Sequence, residues 1–364
     1  MTDHLKVEFH DLRRETLRHH EEYLHAIGEV IESGWFILGP RVQAFEKHFA
    51  AYCGSKHAIG VANGTDAIEL ALVGAGLRPG DEVITTPISA AFSVLAILAA
   101  GCVPVFADVD DETLTIDPAE IRVSGKTRAI LPVHLYGNAS RMDEIPAIAL
   151  DNHLILIEDS CQAHGSTHAG KKLGTFGLAG CFSFYPTKNL GGLGDGGIIT
   201  TDDDDLCRRL RMLRNGGQVS RYHHAVRGVN SRLDELQAAV LITRLATLDE
   251  DNHRRNRIAD IYHERLRHLP LRIVQQSPGR NSHLFVIRVA DRERVQTKLS
   301  ELGVGTLIHY PIPLHQQEFL KDFPLRRMPV SEKACQEILS LPIYPSLSDQ
   351  EIDIVISSLE KALR

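Results

Sequence analysis

The chain has 364 residues, enough for one large domain with its own core and a smaller one beside it. Its hydrophobic fraction of 43% and charged fraction of 24% are those of a soluble globular protein. The formal net charge of -7 argues against nucleic acid as the main partner, because binding a phosphate backbone needs a clustered basic face.

The first twenty residues are rich in His, Arg and Glu and lack an apolar run, so no signal peptide is expected. From about residue 55, short apolar runs alternate with helical patterns. Strands are predicted at 58–62, 82–87, 103–107, 129–135, 154–158, 181–185 and 197–200, with helices at 65–75, 89–100 and 203–214 among them. Buried-looking strands alternating with helices imply an α/β domain whose mostly parallel sheet is covered on both faces. Ligands of such sheets sit beyond the carboxyl ends of the strands, which directs attention to the residues just after each one. The longest apolar stretches, such as 90–100, are shorter than a membrane span, and no membrane partner is expected. Arg208, Arg209, Arg211 and Arg214 cluster, but they follow Asp202 to Asp205 on one helix. Acid at its start and base at its end match the helix dipole, so the cluster reads as a solvated face. A helical stretch from Ser231 to about His268, broken near Asp249 to Asn252, carries the chain out of the first domain. The expected division is a large domain at 1–245 and a small one at 246–364. In the latter, 283–289, a helix at 292–302, 306–310 and two final helices read as a compact α+β unit.

Six cysteines (Cys53, Cys102, Cys161, Cys181, Cys207 and Cys335) are scattered without a CxxC pair, and most stand in apolar company. Buried thiols of this kind suit a reduced cytoplasm, the expected location. The 19 histidines include no HExxH and no Cys/His zinc spacing, so no metal site is expected.

Four segments fall where this fold places ligands. Asn63-Gly64-Thr65-Asp66 lies between a strand and a helix. It reads as a phosphate cradle of free amides or, taken alone, as a plain helix cap. The segment 154–165 carries Glu158 and Asp159 to the end of an apolar strand, with Gln162 and His164 one turn on. A carboxylate there caps the next turn or holds a cationic ring. In 183–197, Lys188 stands between a strand and a run of five glycines. Glycine lets a backbone pass close to a planar ligand and take unusual dihedrals, and a lysine in a tight apolar site loses its proton and becomes a nucleophile. The fourth, 228–239, is a polar loop running into a helix. Gly192-x-Gly194-x-x-Gly197 matches the dinucleotide fingerprint in letters only, since it leads into a strand where that motif must open a helix. Gly125-Lys126-Thr127 lacks the first glycine of a P-loop, the place being held by Glu120.

Taken in order, SGWFILGP (33–40), NGTDAIELAL (63–72), EDSCQAHG (158–165), SFYPTKNLGGLGDGG (183–197), GVNSRLDELQAA (228–239) and HYPIPLH (309–315) resemble the DegT–StrS family of pyridoxal-phosphate sugar aminotransferases. The resemblance covers nearly the whole chain. It implies the aspartate-aminotransferase-like fold type I. Its finer wording is similar to members that aminate carbon 3 of a nucleotide-linked deoxy-keto-hexose, with carbon 4 or a regulatory protein of the same fold as alternatives. Lys188 is then implied to hold the cofactor covalently and to move the proton. Asp159 would pair with the ring nitrogen, and Gln162 would lie by the ring hydroxyl. Gly64, Thr65 and Ser183 would bind the phosphate, with Asn230 reaching it from the other subunit of a homodimer whose sites are shared. Tyr185, His309 and Tyr310 are implied to contact the sugar, and His164 either lies near the ring or is structural. An amino-acid donor, glutamate, is implied; its carboxylate would meet Arg221 or Arg232. One departure stands out. Where many members place an aromatic or His over the ring, this chain reads Ile88-Ser89-Ala90-Ala91-Phe92, so either Phe92 substitutes or the ring is covered otherwise.

Overall fold

The computed structural model describes residues 6–323 and 326–364. Strands run in chain order as β1 (His57–Val61), β2 (Glu82–Thr85), β3 (Val103–Phe106), β4 (Thr127–Leu131), β5 (Ile155–Asp159), the short pair β6 (Thr167–His168) and β7 (Lys171–Lys172), β8 (Ala179–Ser183) and β9 (Gly197–Thr201). They continue with the hairpin β10 (Gln218–Ser220) and β11 (His223–His224), then β12 (Arg272–Ile273), β13 (Phe285–Arg288) and β14 (Ile338–Leu341). Seven of these form the central sheet in the order β1-β9-β8-β5-β4-β2-β3. All of its pairings are parallel except those of β9, which runs antiparallel to both β1 and β8.

The sheet forms because its strands are apolar on both faces and helices cover both. Val83 of β2, Ala129 and Leu131 of β4 and Ile157 of β5 pack with Ile68 and Leu70 of the helix Gly64–Gly74 and Leu206 and Leu210 of the helix Asp204–Leu213. Their strand neighbours Ile84, Ile130 and Leu156 enter the opposite layer with Ile145 and Ala149 of the helix Ile145–Asp151. This is the period-two alternation of a strand buried from both sides.

The second layer system is the antiparallel sheet β12-β13-β14 under the helices Leu248–Leu266, Arg292–Glu301 and Asp349–Ala362, with Tyr262, Phe285, Leu341 and Leu359 in its core. Val7 is buried in this same core and bridges Val304 in parallel, so the amino-terminal segment crosses to the carboxyl-terminal unit. Three expectations are corrected. The helical stretch breaks at Ala246–Thr247, between the helices Glu235–Leu245 and Leu248–Leu266, and not at Asp249 to Asn252. Asp249, Glu250 and Asp251 are the acidic first turn of the second helix, where the dipole favours them. Residues 306–310 form no strand, making only an isolated bridge from Leu307 to Ser340, and β14 takes the sheet position instead. The helix expected from Ser89 starts at Phe92. Among the described residues no helix is long and apolar enough to cross a membrane.

Candidate active site

The carboxyl ends of β1, β5 and β8 converge on a cavity of about 810 Å³, which His283, His309 and Tyr310 also line. Asp159, the last residue of β5, is buried, and both of its oxygens accept hydrogen bonds. Ser93 Oγ donates to Oδ2 at 2.6 Å and the Cys161 amide to Oδ1 at 3.1 Å. Two donors, one on each oxygen, fix the rotation of the carboxylate. Its neighbour Glu158 does different work. It accepts the amides of Gly174, Phe176 and Gly177 and faces His134 Nε2 at 3.0 Å, so it anchors the loop after β7.

Lys188 follows β8 and lines the cavity. Burial lowers its pKa against the opposing pull of Cys161 and Asp159, so the proton on Nζ is held more loosely than on a surface lysine. The helix Gly64–Gly74 points its first turn into the cavity. Asn63 caps it by accepting the Asp66 amide at 2.9 Å, so the earlier amides of Gly64 and Thr65 remain available to a ligand. A side chain at Gly64 would bring its Cβ within 2.7 Å of Ser183 Cβ and 2.9 Å of Cys161 Sγ; only glycine lets this helix start against β8.

The glycine run after Lys188 does something other than expected. None of its residues has a positive φ, so unusual dihedrals are not its purpose. Instead a Cβ at Gly191 would meet the Pro186 carbonyl at 2.4 Å, and one at Gly197 the Asn63 carbonyl at 2.3 Å. The glycines let the chain fold back on its own backbone and seat the Lys188 loop.

Gln162 is oriented by the Tyr136 amide, which donates to its Oε1 at 2.6 Å, and its Nε2 donates to the Tyr310 hydroxyl at 3.3 Å. His309 faces Ser340 Oγ at 2.9 Å through Nδ1, and burial first, then Lys188, pushes its pKa down to about 4. Gly64, Thr65, Asp159, Gln162, Ser183, Tyr185, Lys188, His309 and Tyr310 thus share one cavity. Asn230 does not line it. It is exposed and pairs with Asn215. Arg221, stacked on Tyr222, and Arg232, bonded to Asn215, also lie outside. His164 packs on Phe182 and Phe184 outside the lining. At the stretch lacking the usual cover, Ser89 and Ala90 line the cavity and Phe92 stands at its rim, 61% exposed. Sequence reading missed Ser93 and His283. The signal for Ser93 was a buried hydroxyl inside the otherwise apolar helix FSVLAILA, which needs a partner.

A loosely protonated lysine, a fixed carboxylate and free helix amides around one cavity of an α/β sheet define a pyridoxal-phosphate-dependent enzyme. The chain belongs to the DegT/DnrJ/EryC1/StrS aminotransferase family, whose sequence pattern matches residues 18–360. It is 45% identical over 361 residues to a dTDP-3-amino-3,6-dideoxy-alpha-D-galactopyranose transaminase of Aneurinibacillus thermoaerophilus, covering 98% of this chain and 99% of that one. It is 43% identical over 363 residues to the erythromycin biosynthesis sensory transduction protein EryC1 of Saccharopolyspora erythraea, with coverage of 98% and 99%. Among solved structures, S. venezuelae DesV in complex with a ketimine intermediate matches with a TM-score of 0.95 at 41% identity, over 98% of this chain and 99% of that one. The architecture expected from the sequence, fold type I, therefore holds, and the protein is a transaminase.

Proposed function

We propose that the enzyme transfers an amino group from glutamate to the keto group at carbon 3 of a nucleotide-linked deoxy-keto-hexose. The observation that carries this is the meeting of Lys188, Asp159 and the Gly64 helix terminus in one cavity, joined to transaminase relatives whose names carry 3-amino sugars. Pyridoxal phosphate, when bound, supplies an aldehyde that takes up the amino group and a ring that withdraws electrons. Gly64 and Thr65, with Ser183, are the residues to hold its phosphate, and Asp159 to keep its ring nitrogen protonated. Gln162 is directed at the ring hydroxyl. Lys188 holds the cofactor between turnovers and serves as the base at the reacting carbon, a role eased by its lowered proton affinity. Tyr185, His309 and Tyr310 are the proposed sugar contacts. Asn230 is proposed to reach the partner subunit's phosphate site, making a homodimer with shared sites, and the location is the cytoplasm. The division into a large cofactor unit (1–245) and a small unit (246–364) belongs to the same reading, although Val7 packs in the core of the second unit.

The sensory name of EryC1 favours a second reading, a cofactor-binding regulator without turnover. One experiment addresses both. The holoenzyme is incubated with glutamate and a panel of 3-keto and 4-keto nucleotide sugars, and borohydride fixation is mapped. Amination of a 3-keto sugar, label on Lys188 and loss of both in Lys188→Ala are expected. Label on another lysine would overturn the site; binding without amination of any sugar would favour the regulator.

A further inference from the structure

Asn189, the residue after Lys188, lies in a network of side-chain amides whose directions are set by backbone partners. Its Nδ2 donates to Asn252 Oδ1 at 2.8 Å and to the Asn281 carbonyl at 3.1 Å. Asn252 Nδ2 donates to the His164 carbonyl at 2.9 Å, which leaves its Oδ1 as an acceptor. Asn281 Nδ2 donates to the carbonyls of Gln162 and His164, both at 3.0 Å, while its Oδ1 accepts the His283 amide at 3.0 Å. With every amide direction fixed, Asn189 Oδ1 is the atom that faces His283 Nδ1, at 2.9 Å. A carbonyl oxygen only accepts, so Nδ1 carries the proton.

The His283 ring is kept neutral. Burial first, then the surrounding Lys188, Arg255, His164 and His309, hold its pKa well below the ordinary value. A neutral ring protonated on Nδ1 has a bare lone pair on Nε2. His283 lines the cavity beside His309 and Tyr310, and among the described residues Nε2 has no partner and keeps accessible surface. A lone pair presented to a cavity selects a ligand that brings a proton donor.

The geometry points to His283 Nε2 as the acceptor for a hydroxyl of the bound sugar, a specificity-determining contact that rests on the sugar-transamination reading above. Phosphate and carboxylate groups are excluded as its partner, since they would set a negative oxygen against a lone pair. Lys188 is the one ammonium donor among the described residues lining the cavity, but in the loaded enzyme it is committed to the cofactor. A hexose brings several hydroxyls. One that meets a fixed acceptor is distinguished sharply from its deoxy counterpart, because the buried acceptor is then left unpaired. The amide network makes this acceptor rigid, and it ties the sugar wall to the loop that carries Lys188.

Two measurements test this. Holoenzyme labelled with ¹⁵N-histidine should show the His283 ring, assigned by difference from His283→Phe, protonated on Nδ1 and bare on Nε2. The Nε2 resonance should move when the amino-sugar nucleotide product saturates the site. A proton on Nε2, or an unmoved resonance, overturns the proposal, and His283→Gln supplies the same difference spectrum should His283→Phe fail to fold. Kinetically, the preferred sugar is compared with its singly deoxygenated forms in the native enzyme and in His283→Phe. The native enzyme should lose roughly ten-fold in kcat/KM on one deoxy form. His283→Phe should lose the same on the full sugar and nothing further on that form. Losses that simply add overturn the contact. A native enzyme that aminates no nucleotide sugar instead refutes the transamination reading, and does so before any variant is made.

Discussion

Asp159 is held by a hydroxyl that stands 66 residues away in sequence. Ser93 and Ser89 are both buried and lie 3.1 Å apart through their Oγ atoms. Because Ser93 gives its proton to Asp159, Ser89 is the donor of the second bond, and the carboxylate ends a short chain of hydroxyls. A hydrogen bond to a charged group contributes about 1.5–3 kcal/mol. Ser93→Ala should therefore lower turnover about ten-fold, and Ser93→Thr, which keeps the hydroxyl, should recover most of it. Asp159→Asn, which removes the charge itself, should cost at least roughly 100-fold. Steady-state rates of the three variants check the order, and a native rate in Ser93→Ala would show Asp159 held by its other contacts alone. His164 supplies a test of a different kind. Among the described residues neither of its ring nitrogens has a partner, and burial, with Lys188 adding, pushes its pKa from 6.5 to about 3. The unfolded chain takes up this proton as pH falls through 6.5, while the folded chain refuses it until about 3. Stability from this residue is thus full above that upper value and drains through the window below it. His164→Leu should change the unfolding free energy at pH 7 by less than about 1 kcal/mol and flatten its fall toward pH 4. Urea unfolding of both proteins at several pH values reads this directly, and an unchanged slope would contradict the assignment.

At the scale of elements, two of the motifs behind the family resemblance turn out to be one contact. Glu235 begins the helix Glu235–Leu245, and its carboxylate accepts the amides of Gly39 at 2.8 Å, Arg41 at 2.8 Å and Val42 at 2.9 Å. These open the helix Pro40–Cys53, whose own N-cap, Gly39, has no side chain to offer. The carboxylate both satisfies free amides and answers the positive end of the dipole. Glu235→Ala should lower the unfolding free energy by about 3 kcal/mol, the loss of a buried charged acceptor with several partners, as denaturant titration would show. A loss below about 1 kcal/mol would mean that water replaces the carboxylate. Contacts of this sort mark where sequence reading stops. The seven strands of the central sheet were legible to within a few residues at their ends, because both faces are buried and the apolar runs are unmistakable. Strand β14 was not, since it follows the helix Pro329–Glu337 without a turn to punctuate it. Lys188 and Asp159 were legible from their places after strands. Ser93 and His283 were not, because their meaning lies in partners 66 and 94 residues distant.

At the scale of the whole molecule, the charge of the cavity bears on the proposed sharing of sites between two chains. On the reading proposed above, the cofactor phosphate, the nucleotide-linked sugar and the dicarboxylate donor are all anionic. Yet among the described residues lining the cavity there is no arginine; Lys188 is its one lysine, and Asp66 and Asp195 are also in its wall. Meanwhile Arg221 and Arg227 are exposed on the segment around the β10–β11 hairpin, and Asn230 is exposed just beyond it, all outside their own cavity. Trp35 at 56%, Ile31 at 60% and Leu24 at 55% exposure are large apolar side chains open to solvent, which a second subunit would cover. A two-fold dimer would carry each hairpin to the other chain's site through one repeated interface. The test mixes two inactive proteins, Lys188→Ala and a variant disabled at Asn230, after subunit exchange is proven. With random exchange, half of the dimers are mixed. If sites are shared, each mixed dimer has one site with both defects and one with neither, so activity should recover toward about a quarter of native. If each chain instead completes its own site, every site in every mixture keeps a defect and nothing recovers. That outcome would remove Asn230 from the partner's phosphate site while leaving Lys188 and Asp159 as they stand.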